Sequence, residues 1–298
     1  MNAPDAPTIV ITPRGLTSFA EWRELWVARD LCWFLVRRDI KTRYSQSVLG
    51  LSWAVLQPLF TTGVVTLIFG KMLDAPSDGV PYPIYALTAM VAWTFFQSAV
   101  GDTGNCLASN LGVITKVYFP RLILPFAAVL CRMFDLLIML ALLVVVLVTS
   151  HGYLLKTGCH LQVSALWILP LALALTVVAA LALGMWLAGL SVQYRDVRVA
   201  QGILLQILFY GSPIAYSSAV ALERMAHYLK TRHIPGLSPE IYFLNPLADA
   251  IEAMRACLFG KEAVSYEHLA MGAVVALVAL VGGIWCFRRA ENVVADVA

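Results

Sequence analysis

Two charged residues, Arg132 and Asp135, interrupt a long apolar stretch and are the most unusual chemical groups of the chain. They are three residues apart, so on a helix they share a face and can form an ion pair. Charges at membrane depth are costly, and they usually pair with one another or face a polar cavity. The spacing predicts an ion pair that fixes helix packing. The functional alternative is a proton relay or the polar lining of a pathway.

A second charged group consists of Asp249, Glu252 and Arg255. Their spacing places them on one face of a short predicted helix. A structural network within this helix, extended to a neighbouring subunit, is one interpretation. The alternative is a gate at the external end of a membrane pathway.

The sequence predicts neither a catalytic set nor a metal site. Gly63 and the run Gly70-Lys71-Met72 have the wrong spacing for a phosphate-binding loop and lack the Ser or Thr after Lys. The histidines lie in loops or near segment ends without metal-ligand spacing, and the six cysteines include no CxxC pair. No cofactor is therefore expected in this chain, and any ATP hydrolysis would belong to another chain.

The composition is that of a membrane protein. The chain has 298 residues, of which 60% are hydrophobic and 13% charged, whereas soluble domains are about half apolar and about a quarter charged. The net charge of +3 is too small to argue for nucleic acid. Because backbone polar groups must be paired inside the bilayer, an all-α fold is expected.

Six segments are apolar and near the roughly 20 residues that a spanning helix needs. They are residues 49–72, 84–100, 122–149, 166–192, 199–217 and 269–287. Short basic flanks set the orientation of such proteins, with Lys and Arg on the cytoplasmic side. They place both termini, an arm of residues 1–18 and a tail of residues 288–298, in the cytoplasm.

Two further regions are helical in pattern but do not span. Residues 19–39, within a segment that reaches residue 43, place Trp22, Trp26, Trp33 and Val36 on one face. This pattern is typical of a helix at the membrane surface, where Trp is favoured. The segment 218–265 contains two short predicted helices, 219–230 and 246–259, which are too short to cross and so favour a re-entrant or interfacial placement.

A series of short motifs is spread in order over most of the chain. They are Arg43-Tyr44, Ser47, Leu49-Gly50, Trp53, Gln57-Pro58, Phe119-Pro120-Arg121, Ile123-Leu124-Pro125, Tyr194-Arg195-Asp196-Val197, Ser212-Pro213, Asn245-Pro246-Leu247, Arg255 and Phe259. Together these motifs resemble those of the type-2 ABC permeases, most closely the group that exports O-antigen, capsule and teichoic acid.

The resemblance implies a transport permease of the bacterial inner membrane, not an enzyme. The chain would act as a homodimer bound to two copies of a separate ATPase, which holds ATP and Mg. The cargo would be a polysaccharide, expected to be lipid-linked. Alternatives are an ABC exporter of a drug or lipid, a proton-driven carrier, and a membrane-embedded enzyme.

The resemblance also implies roles for individual segments. A cytoplasmic coupling helix, 105–118, would contact the ATPase through Asn110, Lys116, Tyr118 and Arg121. The N-terminal interface helix would admit the substrate near Trp22, Trp26, Arg43 and Tyr44. Paired gate helices would precede the last span.

A sugar pathway needs polar groups together with flat apolar faces. Candidates for its lining are Tyr44, Trp53, Trp93, Phe95, Phe96, Tyr210 and Tyr216. Ordinary core packing or membrane anchoring is the alternative for each of these aromatic residues.

Overall fold

The computed structural model describes residues 26–45, 50–114, 119–159, 162, 165–231, 238–260 and 265–297. Every regular element in these ranges is helical. The α-helices are α1 Arg29–Ser45, α2 Trp53–Val65, α3 Tyr82–Gly104, α4 Cys106–Ser109, α5 Leu111–Ile114, α6 Ile123–Thr149, α7 His151–Lys156, α8 Ile168–Gln193, α9 Val197–Gly211, α10 Ser218–Thr231, α11 Pro246–Phe259 and α12 Tyr266–Val297. The predicted all-α class is confirmed for this part of the chain.

Five helical stretches are long and apolar enough to cross a membrane. They are Gly50–Met72, α3, α6, α8 and the stretch Tyr266–Glu291 of α12. The first combines a 3₁₀ turn, Gly50–Ser52, with α2 and a π-helical end, Thr66–Met72. Five of the six predicted spans therefore have a matching helix.

The predicted span 199–217 is wrong at its C-terminal end, because α9 stops at Gly211 after 15 residues. Ser212 is extended, with φ −105° and ψ 153°. It precedes Pro213, which disfavours helical backbone in the residue before it and has no N–H to donate. At 1.5 Å per residue α9 is roughly 22 Å long, short of the roughly 30 Å hydrocarbon core.

The centre of the molecule is formed by α3 and α8, which pack against each other while α8 also packs along α12. Small residues permit this close approach. A Cβ at Gly184 of α8 would lie 2.5 Å from the Thr103 Cβ of α3, and one at Gly189 would lie 2.9 Å from backbone atoms of Cys286 in α12. These two glycines therefore fix how closely α8 approaches α3 and α12.

Large apolar side chains are exposed along the long helices at the periphery of the molecule. Phe60 of α2, Val148 of α6 and Val281 of α12 are each more than two-thirds exposed. Exposed apolar bands of this extent are unsuited to water. They are suited to lipid.

The helix α1 packs on α6. Val36 is 2% exposed and faces the core, whereas Trp33, and Trp26 just before the helix, are 63% and 71% exposed. The placement of this segment at the membrane surface stays a prediction. The part of the predicted segment before residue 26 lies outside the described residues.

The two short helices predicted in 218–265 are present. Asn245 caps the N-terminus of α11: its side chain accepts a hydrogen bond from the backbone N–H of Leu247 at 3.1 Å, and Pro246 follows in the first turn. It ends at Gly260 in the left-handed conformation, φ 64°. Nearly all of α11 is buried against α3, α8 and α12, so this non-spanning helix belongs to the protein core.

Candidate functional site

A network of four charged side chains joins the C-terminal ends of α1 and α3 to the interior of α6. Arg132 of α6 donates from Nε and Nη2 to the two carboxylate oxygens of Asp102 in α3, at 2.6 and 2.9 Å, and from Nη1 to Asp135 at 3.1 Å. Arg43 of α1 donates to Asp135 at 3.0 Å and to Asp102 at 2.7 Å. The predicted Arg132–Asp135 pair is confirmed, and it is half of a larger arrangement.

The charges of this network balance, since two guanidinium groups meet two carboxylates. Tyr44 extends it by donating a hydrogen bond from its hydroxyl to Asp135. Burial raises the pKa of the Tyr44 phenol, and the hydrogen bond to the Asp135 carboxylate raises it further. The phenol therefore stays protonated at neutral pH and acts as a donor.

Sequence reasoning missed Asp102. The predicted second span ended at residue 100, whereas α3 continues to Gly104 and carries Asp102 into the protein. Asp102 lies two residues beyond the predicted end of that span, and only the packing of α3 on α6 brings it to Arg132.

The middle of α1 also contacts the predicted coupling region. Arg38 donates from Nη2 to the Asn110 side-chain oxygen at 2.8 Å, and Asn110 donates to the Cys106 carbonyl at 2.9 Å. A cavity of about 180 Å³ lies between these residues and α6. The described part of the predicted coupling helix consists of the two short helices α4 and α5, with Asn110 between them.

The other predicted contact residues are placed as follows. Arg121 donates to the backbone carbonyl of Glu291 at 2.7 Å, which ties the start of α6 to the end of the last span. Trp22, Lys116 and Tyr118 lie outside the described residues. Their roles stay predictions.

A second cavity, of about 220 Å³, opens beside the charged network between α2, α3 and α6. Tyr44, Trp53 and Phe95, three of the aromatic residues proposed to line a pathway, contribute to its wall. Its other polar wall residues are Gln57, Thr94 and Ser98, and its floor includes Arg43, Arg132 and Asp135. We call this the network cavity.

The remaining aromatic candidates lie elsewhere. Trp93 and Phe96 are 3% and 4% exposed, and the Trp93 ring packs edge-on against Phe209 at 5.2 Å. Tyr210 is exposed, and its carbonyl accepts a hydrogen bond from the Tyr216 hydroxyl at 2.8 Å. Core packing explains Trp93 and Phe96 within this subunit, and a pathway role for these four residues stays a prediction.

Arg255 of α11 is 5% exposed and is held by aromatic and backbone groups. It donates from Nη1 to the Tyr85 hydroxyl at 2.8 Å and from Nη2 to the Ile214 carbonyl at 3.2 Å. Its guanidinium lies 3.5 Å from the centre of the Tyr85 ring. The predicted pair with Glu252 is present at 3.8 Å, but it is longer than these contacts.

Asp249 is 2% exposed, and within the described part of the chain neither of its carboxylate oxygens has a hydrogen-bond partner. The carboxyl group packs so closely on Gly272 of α12 that a Cβ there would lie 2.1 Å from Oδ2. Burial raises the pKa of Asp249 to about 8, and the nearby Glu252 carboxylate adds to the shift. A neutral carboxyl group therefore occupies this contact at neutral pH.

The family of the chain follows from comparison with known sequences. The profile of the ABC-2 type transporter family matches residues 30–259, which include the network, the network cavity and the Arg255 cluster. The chain is an integral membrane protein and belongs to the ABC-2 type transporter family.

Individual relatives are similar over nearly their whole length. An O-antigen export system permease protein RfbA of Myxococcus xanthus is 26% identical over 259 residues, covering 87% of this chain and 91% of the relative. An RfbA of Klebsiella pneumoniae is 24% identical over 268 residues, 90% and 95% of the two chains. A polysialic acid transport protein KpsM of Escherichia coli is 22% identical over 264 residues, 87% and 92%.

Proposed function

We propose that this chain is the permease subunit of an ATP-driven exporter of a lipid-linked polysaccharide in the bacterial inner membrane. The similarity to polysaccharide export proteins over 87–90% of the chain carries this proposal. The chain works as a homodimer with two copies of a separate ATPase, which binds ATP and Mg. Both termini face the cytoplasm.

The contacts of α1 support a route for the mechanical coupling. Arg38 joins α1 to the coupling region at Asn110, and Arg43 joins the same helix to α3 and α6 through Asp102 and Asp135. Closure of the ATPase on ATP moves the coupling region and α1 together, and the network passes that displacement to the spans. Coupling of this kind requires that ATP change the relative stability of two permease states.

The pathway lies along the interface between the two permease subunits. In this proposal α9 completes a set of six membrane helices, together with the five long spans. The α10 and α11 helices form the external gate, where Arg255 and Tyr85 anchor α11 to α3. The glycan is admitted on the cytoplasmic side beside α1 and passed outward.

Gene deletion and ATPase binding together test this function. Deleting the gene should remove the surface polysaccharide, and the intact gene should restore it. The purified chain should co-purify with a separate ATPase and change its rate of ATP hydrolysis. The proposal fails if the deletion strain keeps its surface polysaccharide and no ATPase binds; lost resistance to a drug with intact surface glycan would indicate a drug exporter.

A further inference from the structure

We infer that the network cavity binds one sugar ring of the exported glycan within a single subunit. This inference rests on the proposed function and assigns a substrate subsite to a cavity that lies inside the subunit. The cavity is lined by the C-terminal end of α1 and by α2, α3 and α6.

The charge balance of the floor favours a neutral ligand. Arg43 and Arg132 are already paired with Asp102 and Asp135. A phosphate group bound here would bring a net negative charge beside arginines whose charges the two carboxylates already balance, so that charge would be partly buried without a matching cation, at a large cost. A sugar ring adds no charge and leaves the four-residue network intact.

The charged residues of the cavity floor also have hydrogen-bonding groups that the network does not use. An arginine has five N–H donors; Arg132 uses three of them and Arg43 uses two within the described residues. Asp135 Oδ1 accepts from Tyr44 and has further lone-pair capacity. Donors and acceptors lie side by side, which suits hydroxyl groups, since each hydroxyl both donates and accepts.

The walls supply the flat apolar surface that a sugar ring also needs. Trp53 is 49% exposed and lines the cavity together with Tyr44 and the buried Phe95. The negatively polarised face of an aromatic ring attracts the weakly positive C–H groups of a ligand. Gln57 and Ser98 add polar groups on the same wall, so the lining alternates flat apolar and hydrogen-bonding surface.

The size of the cavity suits about one sugar ring. Its volume of about 220 Å³ is below the roughly 300–1,000 Å³ typical of sites for drug-sized ligands. A lipid acyl chain would occupy the apolar side formed by Val91, Leu136 and Met139 but would leave the floor donors unpaired. The sugar therefore uses more of the lining than the lipid does.

Site-specific photocrosslinking in living cells tests this inference. The photoreactive residue p-benzoyl-phenylalanine replaces Gln57, which lines the cavity, or Phe60, which lies on the same helix and is 68% exposed. Captured glycan is detected on the purified chain by periodate–hydrazide labelling, and captured phospholipid by radiolabelled glycerol. We expect glycan at position 57 and phospholipid alone at position 60.

A second pair of variants tests the aromatic wall. In the position-57 crosslinking strain, Trp53→Ala should lower the captured glycan about five- to tenfold, as expected for the loss of a ring contact. Trp53→Phe keeps a flat ring and should retain most of the capture. The amount of protein in the membrane fraction is measured in each strain, so that loss of folding is recognised.

The outcomes separate this inference from the proposed function. If the position-57 strain exports glycan normally but captures only phospholipid, or if positions 57 and 60 capture glycan equally, the sugar subsite is wrong and the exporter stands. If the deletion strain keeps its surface glycan, the exporter itself is wrong.

Discussion

Arg132 donates three of the hydrogen bonds that keep Asp102 and Asp135 paired inside the protein. Without its guanidinium, two partly buried carboxylates would share Arg43 alone. The side chains of Arg132 and Asp135 are 20% and 18% exposed, so water compensates only a small part of the loss. Replacing one charged residue of the network should therefore destabilise the protein strongly. Replacing one arginine and one aspartate together should cost less, because the remaining charges still balance.

Arg132→Ala should lower the free energy of unfolding by about 3 kcal/mol, because it leaves an unbalanced buried charge. For a chain of this size the melting temperature in detergent should fall by roughly 5–10 °C. The double variant Arg132→Ala with Asp102→Asn should be less destabilised than the two single effects added together. Arg37→Ala, at an exposed position of α1, is the control and should change little; strict additivity in the double variant would contradict the network.

Asp249 predicts a pH dependence with a definite sign. Its folded-state pKa, about 8, lies above the ordinary value of 3.8. The stability that the neutral group contributes is complete below its ordinary pKa. This stability is lost as the pH rises from the ordinary pKa toward the folded-state pKa, because over this range the unfolded chain has released the Asp249 proton and the folded chain still holds it.

Asp249→Asn should raise the melting temperature relative to the natural chain at about pH 9 and leave it nearly unchanged at about pH 4. Thermal unfolding in one detergent across this range measures the difference. Glu223→Gln, at an exposed position of α10, is the control and should give parallel curves. A benefit from Asp249→Asn that is equal at both ends of the range would contradict the neutral, unpaired carboxyl group.

At the scale of whole helices, α8 sets the spacing of its neighbours through residues that have no side chain. A Cβ at Gly189 would meet the backbone of Cys286 at 2.9 Å, and backbone cannot move aside as a flexible side chain can. The contact between α8 and α12 therefore depends on glycine at this position. Gly202 of α9 offers a matched comparison, since a Cβ there has nothing within 4 Å.

Gly189→Ala should destabilise the protein by about 1–3 kcal/mol, because the extra methyl group forces α8 and α12 apart. Gly202→Ala should be neutral or slightly stabilising, since alanine favours a helix by about 1 kcal/mol over glycine. Melting temperatures of the two purified variants in the same detergent measure this contrast. Equal effects at the two positions would show that helix propensity, not packing, decides.

Hydropathy and proline positions were sufficient to predict most elements of this fold. The helix 246–259 was predicted at its observed bounds, because Pro246 and Gly260 mark its ends in the sequence. The end of α9 was missed because the apolar run continues past Pro213, so composition alone overstates the helix. The Arg132–Asp135 pair was predictable from its spacing. The contact of Asp102 with Arg132 was not, since it depends on the packing of α3 on α6, which no local pattern encodes.

At the scale of the whole molecule, α9 is a short apolar helix that packs mainly on α8 and α3 of its own subunit. Its 15 residues are short for a span, and Val199, Ile203 and Ile207, spaced four residues apart, are 72%, 58% and 63% exposed. A short helix with one exposed apolar stripe is better shielded by a second protein surface than by lipid, because protein can also pair the backbone groups at its ends. In the proposed homodimer this stripe lies at the subunit interface.

Cysteine crosslinking tests this arrangement of the two subunits. In a background with the partly exposed Cys32 and Cys286 changed to serine, the four remaining cysteines are buried. Ile207→Cys should then form an oxidative dimer at twice 32.6 kDa on a non-reducing gel of membranes, because two copies of the α9 stripe face each other across a twofold axis. Val278→Cys, on an exposed face of α12, should stay monomeric. Efficient crosslinking at 278 with none at 207 would place the interface on the last span instead, and would exclude α9 from the contact between subunits.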